Sequence, residues 1–174
     1  MKKKYLFIIL FILLLSGITL GYSRLLETLS IDGDVTVSPV NFDIRLKELT
    51  ITDGSFLNEG NNTSSIDINN NKKVNFNVSL SEPNQFYEFT FKIANQGTMG
   101  GYLTSITETG TTIEEINSND NIFYSVETLP VTNDYFNVSM EKTIKIRIEF
   151  IGEEATEPFL INKSFEFSFS KDPV

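Results

Sequence analysis

Beyond residue 27 the hydrophobic positions recur with a period of two rather than 3.6, which predicts strands half-buried on one face. Leu29, Ile31, Val35 and Val37 alternate around Asp32-Gly33-Asp34, where Asp-Gly suits either a tight turn or a bulge. Phe42, Ile44 and Leu46 fall on even numbers while Leu49 and Ile51 are odd, so a bulge or break is expected near Lys47-Glu48. Val74 to Leu80, Tyr87 to Ile93, Ile144 to Phe150 and Phe165 to Phe169 alternate cleanly. Weaker strand patterns cover Ser65–Asn69, Tyr102–Thr107 and Asn121–Glu127. Each strong segment has one apolar and one polar side, as in antiparallel sheets with one face on a core and one in water. Fifteen phenylalanines and no tryptophan imply a core filled with rings that carry no polar handle. The expected fold is all-β, an antiparallel β-sandwich of short strands joined by Asn, Gly, Ser and Asp turns. One short helix is expected over Thr112–Asn117, and Gly60–Ser65 and Asn69–Asn71 read as polar surface loops. No repeat or linker interrupts residues 24–174, so a single domain is expected there.

The first 23 residues have a different character. Lys2-Lys3-Lys4 precede an apolar run from Tyr5 to Leu15, followed by Ser16, Gly17, Thr19 and Gly21. A basic start, a compact apolar stretch and small residues behind it describe a secretory signal peptide. Gly21 and Ser23 stand at the −3 and −1 positions of a cut between Ser23 and Arg24. The competing reading is an uncleaved hydrophobic helix over residues 5–22, near the lower length limit for a membrane span. Its flanking lysines would keep the N-terminus inside. Both readings put the domain outside the cytoplasm, secreted or on the cell surface, with the membrane reached only through residues 5–22.

Charge and composition narrow the chemistry. The chain has 14 basic and 23 acidic residues, a net of −9; removal of residues 1–23 takes three lysines and no acid, leaving −12. Such a surface repels nucleic acid, so no nucleic-acid partner is expected. Histidine and cysteine are both absent. That excludes imidazole bases, thiol nucleophiles, imidazole or thiolate zinc sites and disulfides. Asp32-Gly33-Asp34 and Asn117-Ser118-Asn119-Asp120-Asn121 offer oxygen ligands for calcium but lack the EF-hand spacing, and the competing reading is turn formation, which gathers the same residues for backbone reasons. Glu114-Glu115 and Glu153-Glu154 read as solvated carboxylate pairs. Asn-x-Ser/Thr triplets begin at Asn61, Asn62, Asn77, Asn137 and Asn162, a number that 17 asparagines among many Ser and Thr residues produce readily. No catalytic residue, cofactor or metal site is expected, and the chain does not read as an enzyme.

Three stretches resemble the TasA/CalY (camelysin-like) secreted proteins of Gram-positive bacteria. The first is the junction from Gly21 to Gly33, which runs directly into the first strand. The second is Val37-Ser38-Pro39-Val40-Asn41-Phe42-Asp43-Ile44. The third extends from Glu82-Pro83-Asn84 through the alternating Phe86–Ile93 to Asn95-Gln96-Gly97-Thr98. Asn84 stands where that family usually has glycine. The resemblance implies a jelly-roll-like sandwich, export with cleavage by a dedicated signal peptidase, and assembly into surface or biofilm-matrix fibres. Some members are described as metalloproteases, an activity that a histidine-free chain without His-Glu-x-x-His does not inherit.

A physical route to fibres lies in the first strand. Released at the mature N-terminus, Leu25–Val37 could add to the sheet edge of a neighbouring copy, with Leu29, Ile31, Val35 and Val37 filling alternate pockets. The same residues could instead form the first strand of their own sheet. The alternative function is a monomeric surface binding module that contacts polysaccharide or protein through Asn58–Asn71 and Asn117–Asn121.

Overall fold

A computed structural model describes residues 11–16, 18, 39–153, 155 and 157–174. The expected donor residues Leu29, Ile31, Val35 and Val37, the Ser23/Arg24 cut and the Asp32-Gly33-Asp34 turn lie outside the described residues. In the N-terminal unit, residues 11–16 and 18 are helical. Among the described residues no helix is long and apolar enough to cross a membrane.

Residues 39–174 form a second unit, an antiparallel β-sandwich. Its strands are β1 (Ile44–Ile51), β2 (Thr63–Ile66), β3 (Lys73–Leu80), β4 (Phe86–Asn95), β5 (Gly101–Gly110), β6 (Ile122–Glu127), β7 (Tyr135–Phe136), β8 (Glu141–Phe150) and β9 (Phe159–Ser170). One sheet has the order β1-β4-β8-β6 and the other β2-β3-β9-β5-β7. From β3 to β9 every connection passes from one sheet to the other, so the chain wraps around its core in the manner of a jelly roll.

The alternation read from the sequence fixes which side of each strand is buried. Val74, Phe76, Val78 and Leu80 of β3 face Phe89, Phe91 and Ile93 of β4 and Ile144, Ile146 and Ile148 of β8 across the core. Rings bridge the two layers: Phe76 lies 5.3 Å from Phe89 and Phe91 6.0 Å from Phe167, between centroids. At these separations tilted pairs add to the stabilisation gained from burial. The expected irregularity in β1 is present, because its register against β4 shifts between Lys47 and Thr50. Glu48 there adopts φ +53, the extra residue that lets Leu49 return to the core side.

The short helix α1 (Ile113–Asn117) is started by a capping box. Thr112 Oγ1 accepts from Glu115 N at 3.1 Å, and Thr112 N donates to Glu115 Oε2 at 2.7 Å. Its one buried side chain, Ile116, joins the core.

Two boundaries differ from expectation. Thr63–Ser65, read as loop, belongs to β2, and the strand stops at Ile66 because the Asp67 carboxylate accepts from the N–H groups of Asn69 and Asn70 and turns the chain. Strand β9 begins at Phe159, six residues before the phenylalanine alternation that announced it, and β7 had no pattern of its own.

Candidate functional site

The segment Pro39–Asp43 enters the sandwich pinned to the turn between β4 and β5. Asn41 N donates to Thr98 Oγ1 and Thr98 N to Asn41 O, both at 2.8 Å, and Gln96 N reaches Asp43 O at 2.8 Å. Buried Asn95 organises that turn by donating to Met99 O at 2.8 Å and Phe136 O at 3.0 Å while accepting from Gly97 N at 3.0 Å. Gly97 has no room for a side chain, since a Cβ would strike Asn41 O and lie 2.7 Å from Asp43 N. The segments Pro39–Asp43 and Asn95–Thr98 therefore hold each other. They fix the position of Pro39, the first described residue of this unit.

Four strands end the two sheets. In the second sheet the edges are short, four residues in β2 and two in β7. In the first sheet the β1 edge is partly covered, with Leu46 N donating to Asn71 O at 2.7 Å. At the opposite edge, residues 123–127 of β6 make their ladder with β8 and no backbone hydrogen bond to any other described segment. Behind that edge Tyr124 and Val126 face the core but are only partly covered. The Tyr124 hydroxyl is buried with no hydrogen-bond partner among the described residues, and burial, aided by the Glu108 charge, pushes its pKa up.

The outward face of the first sheet is ionic. Lys47 and Lys92 each bridge Glu48 and Glu141, and Lys145 pairs with Glu127 at 2.9 Å. Glu88 is flanked by Thr52 and by Arg147, which also binds Glu149. Burial raises the Glu88 pKa, but the Thr52 hydroxyl and the Arg147 guanidinium outweigh it and hold the carboxyl below its ordinary range. At the end of the core, Lys163 is enclosed between Ile161 and Phe165 on the inner row of β9. Its Nζ bonds Glu108 Oε2 at 2.7 Å and Thr111 O at 3.1 Å. These groups are committed to one another, and among the described residues no cluster of three or more acidic side chains could hold a metal ion. In the candidate calcium loop, Asn119 Oδ1 is spent on Asn121 N at 2.9 Å, and Glu115 of the paired carboxylates caps α1.

The asparagines separate into two groups. Asn62 is a clamp, although its loop reads as polar and exposed in the sequence. Its Nδ2 donates to Phe56 O at 2.8 Å and Ser79 O at 3.2 Å, and its Oδ1 accepts from Ser79 N at 2.6 Å. It locks the turn Asn58–Gly60 against β3. Asn58, Asn61, Asn77 and Asn162, by contrast, make no side-chain hydrogen bond within the described residues and line one groove of about 380 Å³, with Leu160 beside them. Asn77 and Asn162 are direct cross-strand partners on the outward face of the second sheet. Of the two loops expected to bind a ligand, Asn58–Asn71 contributes to this groove and Asn117–Asn121 does not. Asn77 and Asn162 come from separate strands and were not legible as a site. No family model, no curated protein and no solved structure matches the chain.

Proposed function

We propose that this protein is an exported structural subunit that assembles into surface or matrix fibres by strand donation, acting by docking rather than by catalysis. The observation that carries the reading is the β6 edge, unpaired among the described residues, with incompletely covered Tyr124 and Val126 behind it. An alternating strand added there supplies main-chain partners on one side and apolar side chains on the other. Residues 25–37 have the required alternation, and burying Leu29, Ile31, Val35 and Val37 contributes on the order of 1.5–3 kcal/mol each before ordering costs. Strand β1, which follows the pinned Pro39–Asp43 segment, lies at the edge of that sheet opposite β6, and this separation favours donation to a second copy. Head-to-tail donation does not close, so it produces filaments. The resemblance to TasA/CalY proteins agrees with this reading, as does the N-terminal signal pattern with its cut before Arg24 by a signal peptidase.

Deleting residues 24–37 abolishes filaments under electron microscopy, and a synthetic peptide of residues 25–38 binds the shortened chain. Filaments of ordinary appearance from the shortened chain refute strand donation. The groove at Asn77 and Asn162 favours a second reading, a monomeric surface binding module. Light scattering over a concentration series separates the two, since only the fibre subunit grows.

A further inference from the structure

We infer that the groove lined by Asn58, Asn61, Asn77 and Asn162 binds a neutral carbohydrate. Three observations converge on it. The first is the state of its polar groups. Each carboxamide presents a donor and an acceptor a short distance apart, the pairing that vicinal sugar hydroxyls complete. Elsewhere in the domain, buried asparagines spend these groups internally: Asn62 makes three such bonds and Asn95 three. The four in the groove spend none on the described residues.

The second is charge. In a chain that is 21% charged, the groove is lined by Asn, Ser, Thr, Val, Leu and Ile alone. With no cation it offers nothing to a phosphate, sulfate or uronate, and with no carboxylate nothing to a metal or an amine. Its apolar share, chiefly Leu160 with 67% of its surface exposed, is a small platform for a sugar's C–H face and too little for a lipid. A peptide is also a poorer fit. Peptides that pair with sheets add at an edge, whereas Asn77 and Asn162 lie in the middle of the ladder between β3 and β9.

The third is preorganisation. One wall is sheet. The other is formed by Asn58 and Asn61, which flank a tight turn in which Asn58, Glu59 and Gly60 have φ +45, +53 and +89, a left-handed run unfavourable for the first two residues. The Asn62 clamp keeps this turn in place and connects it to Ser79, itself part of the groove lining. A site of about 380 Å³ that exists before the ligand arrives loses little to ordering.

The inference holds for a monomer or a fibre subunit. Loss of filaments on deleting residues 24–37 leaves it standing, and failure of sugar binding leaves strand donation standing. The test is calorimetric titration of the purified full chain with short oligomers of glucose, mannose, galactose and N-acetylglucosamine, with an oligogalacturonate and a mixed peptide pool as contrasts. At least one neutral oligomer binds, and the oligogalacturonate does not. The double substitution Asn77→Thr with Asn162→Thr, which keeps strand propensity and removes both amides, weakens binding about tenfold or more. Asn75→Thr, on the same face of β3 outside the groove, changes nothing. Asn61→Ser, in a surface turn, weakens binding several-fold and decides the matter if the double variant does not fold. The inference is overturned by failure of every neutral oligomer to bind, by preference for the acidic oligomer or the peptides, or by undiminished binding in the variants.

Discussion

The ion pair between Lys163 and Glu108 makes an asymmetric prediction. Lys163 has 1% of its side chain exposed and Glu108 33%, so the two partners lose very different amounts of hydration on folding. Replacing Glu108 with Ala leaves a buried ammonium with one carbonyl, Thr111 O at 3.1 Å, and the Phe165 ring 5.4 Å away. Removing one partner of a fully buried pair costs about 3–5 kcal/mol. The cavity of about 220 Å³ that borders Lys163 and Glu108 admits water to the stranded charge. That relief brings the expected loss down to about 2–3 kcal/mol. Replacing Lys163 with Met retains the apolar stem between Ile161 and Phe165 and removes the charge, while Glu108 returns to solvent. Its expected change is within about 1 kcal/mol of zero in either direction. Urea denaturation followed by circular dichroism reads both, and the double variant should resemble Lys163→Met alone because no charge is then stranded. A Lys163→Met loss equal to or larger than that of Glu108→Ala refutes the reasoning.

Gly97→Ala places a methyl group against Asn41 O and Asp43 N, and its expected result is release of Pro39–Asp43 with faster amide exchange at Asn41, Gln96 and Thr98 while the β4 and β8 amides stay protected. Under strand donation the same change impairs filaments in electron micrographs. Acid destabilises the fold through carboxyls that it holds below their ordinary range, chiefly Glu88 and Asp134 with the exposed Glu48 and Glu141. A depressed folded pKa gives stability that is complete above the unfolded value and lost as pH falls through the folded one, so urea midpoints stay level from about pH 7 to 5 and decline below about 4.3, less steeply in Glu88→Gln. Binding of a neutral oligosaccharide by the asparagine groove varies less than about twofold between roughly 0.05 and 0.5 M salt, since no groove charge is available to be screened; a steep salt dependence in the same titration contradicts it.

The sheets were legible in the sequence wherever one face alternated without interruption, as in Phe89, Phe91 and Ile93. The break at Lys47-Glu48 was legible because the parity of the apolar positions changed there. The start of β9 was hidden because Lys163 occupies an inward position, and a lysine on an apolar row looks like the end of a strand. Glu108, 55 residues earlier in the chain, together with Thr111 O makes that burial tolerable, and this pairing depends on register that no local pattern carries. A two-residue strand such as β7 is too short for periodicity to register. The groove was partly foreseen through the asparagine-rich loop at Asn58 and Asn61. Its other half was not, because Asn77 and Asn162 are 85 positions apart and became neighbours only through the β3–β9 ladder.

The two outward faces of the sandwich are built from different chemistry, and this constrains how assembly and binding can coexist. On the first sheet Lys47, Lys92, Lys145 and Arg147 are interleaved with Glu48, Glu88, Glu127, Glu141 and Glu149. Such a lattice is strongly hydrated, and covering it with another molecule would remove water from many charges at once. On the second sheet the strands β3, β9 and β5 turn mainly amides and hydroxyls outward, among them Asn75, Asn77, Asn162, Ser168 and Thr107. Neutral groups lose their water at lower cost and recover it through hydrogen bonds to a neutral partner. A strand added at the β6 edge extends the first sheet sideways and itself lies over neither face. If filaments grow by that addition, the donated strand leaves the amide-rich face of the acceptor, and the groove on it, uncovered. If the subunit both assembles and binds sugar in the groove, contacts repeated along the fibre act together, and the apparent affinity for a polymeric glycan rises with filament length while that for a short oligomer stays constant.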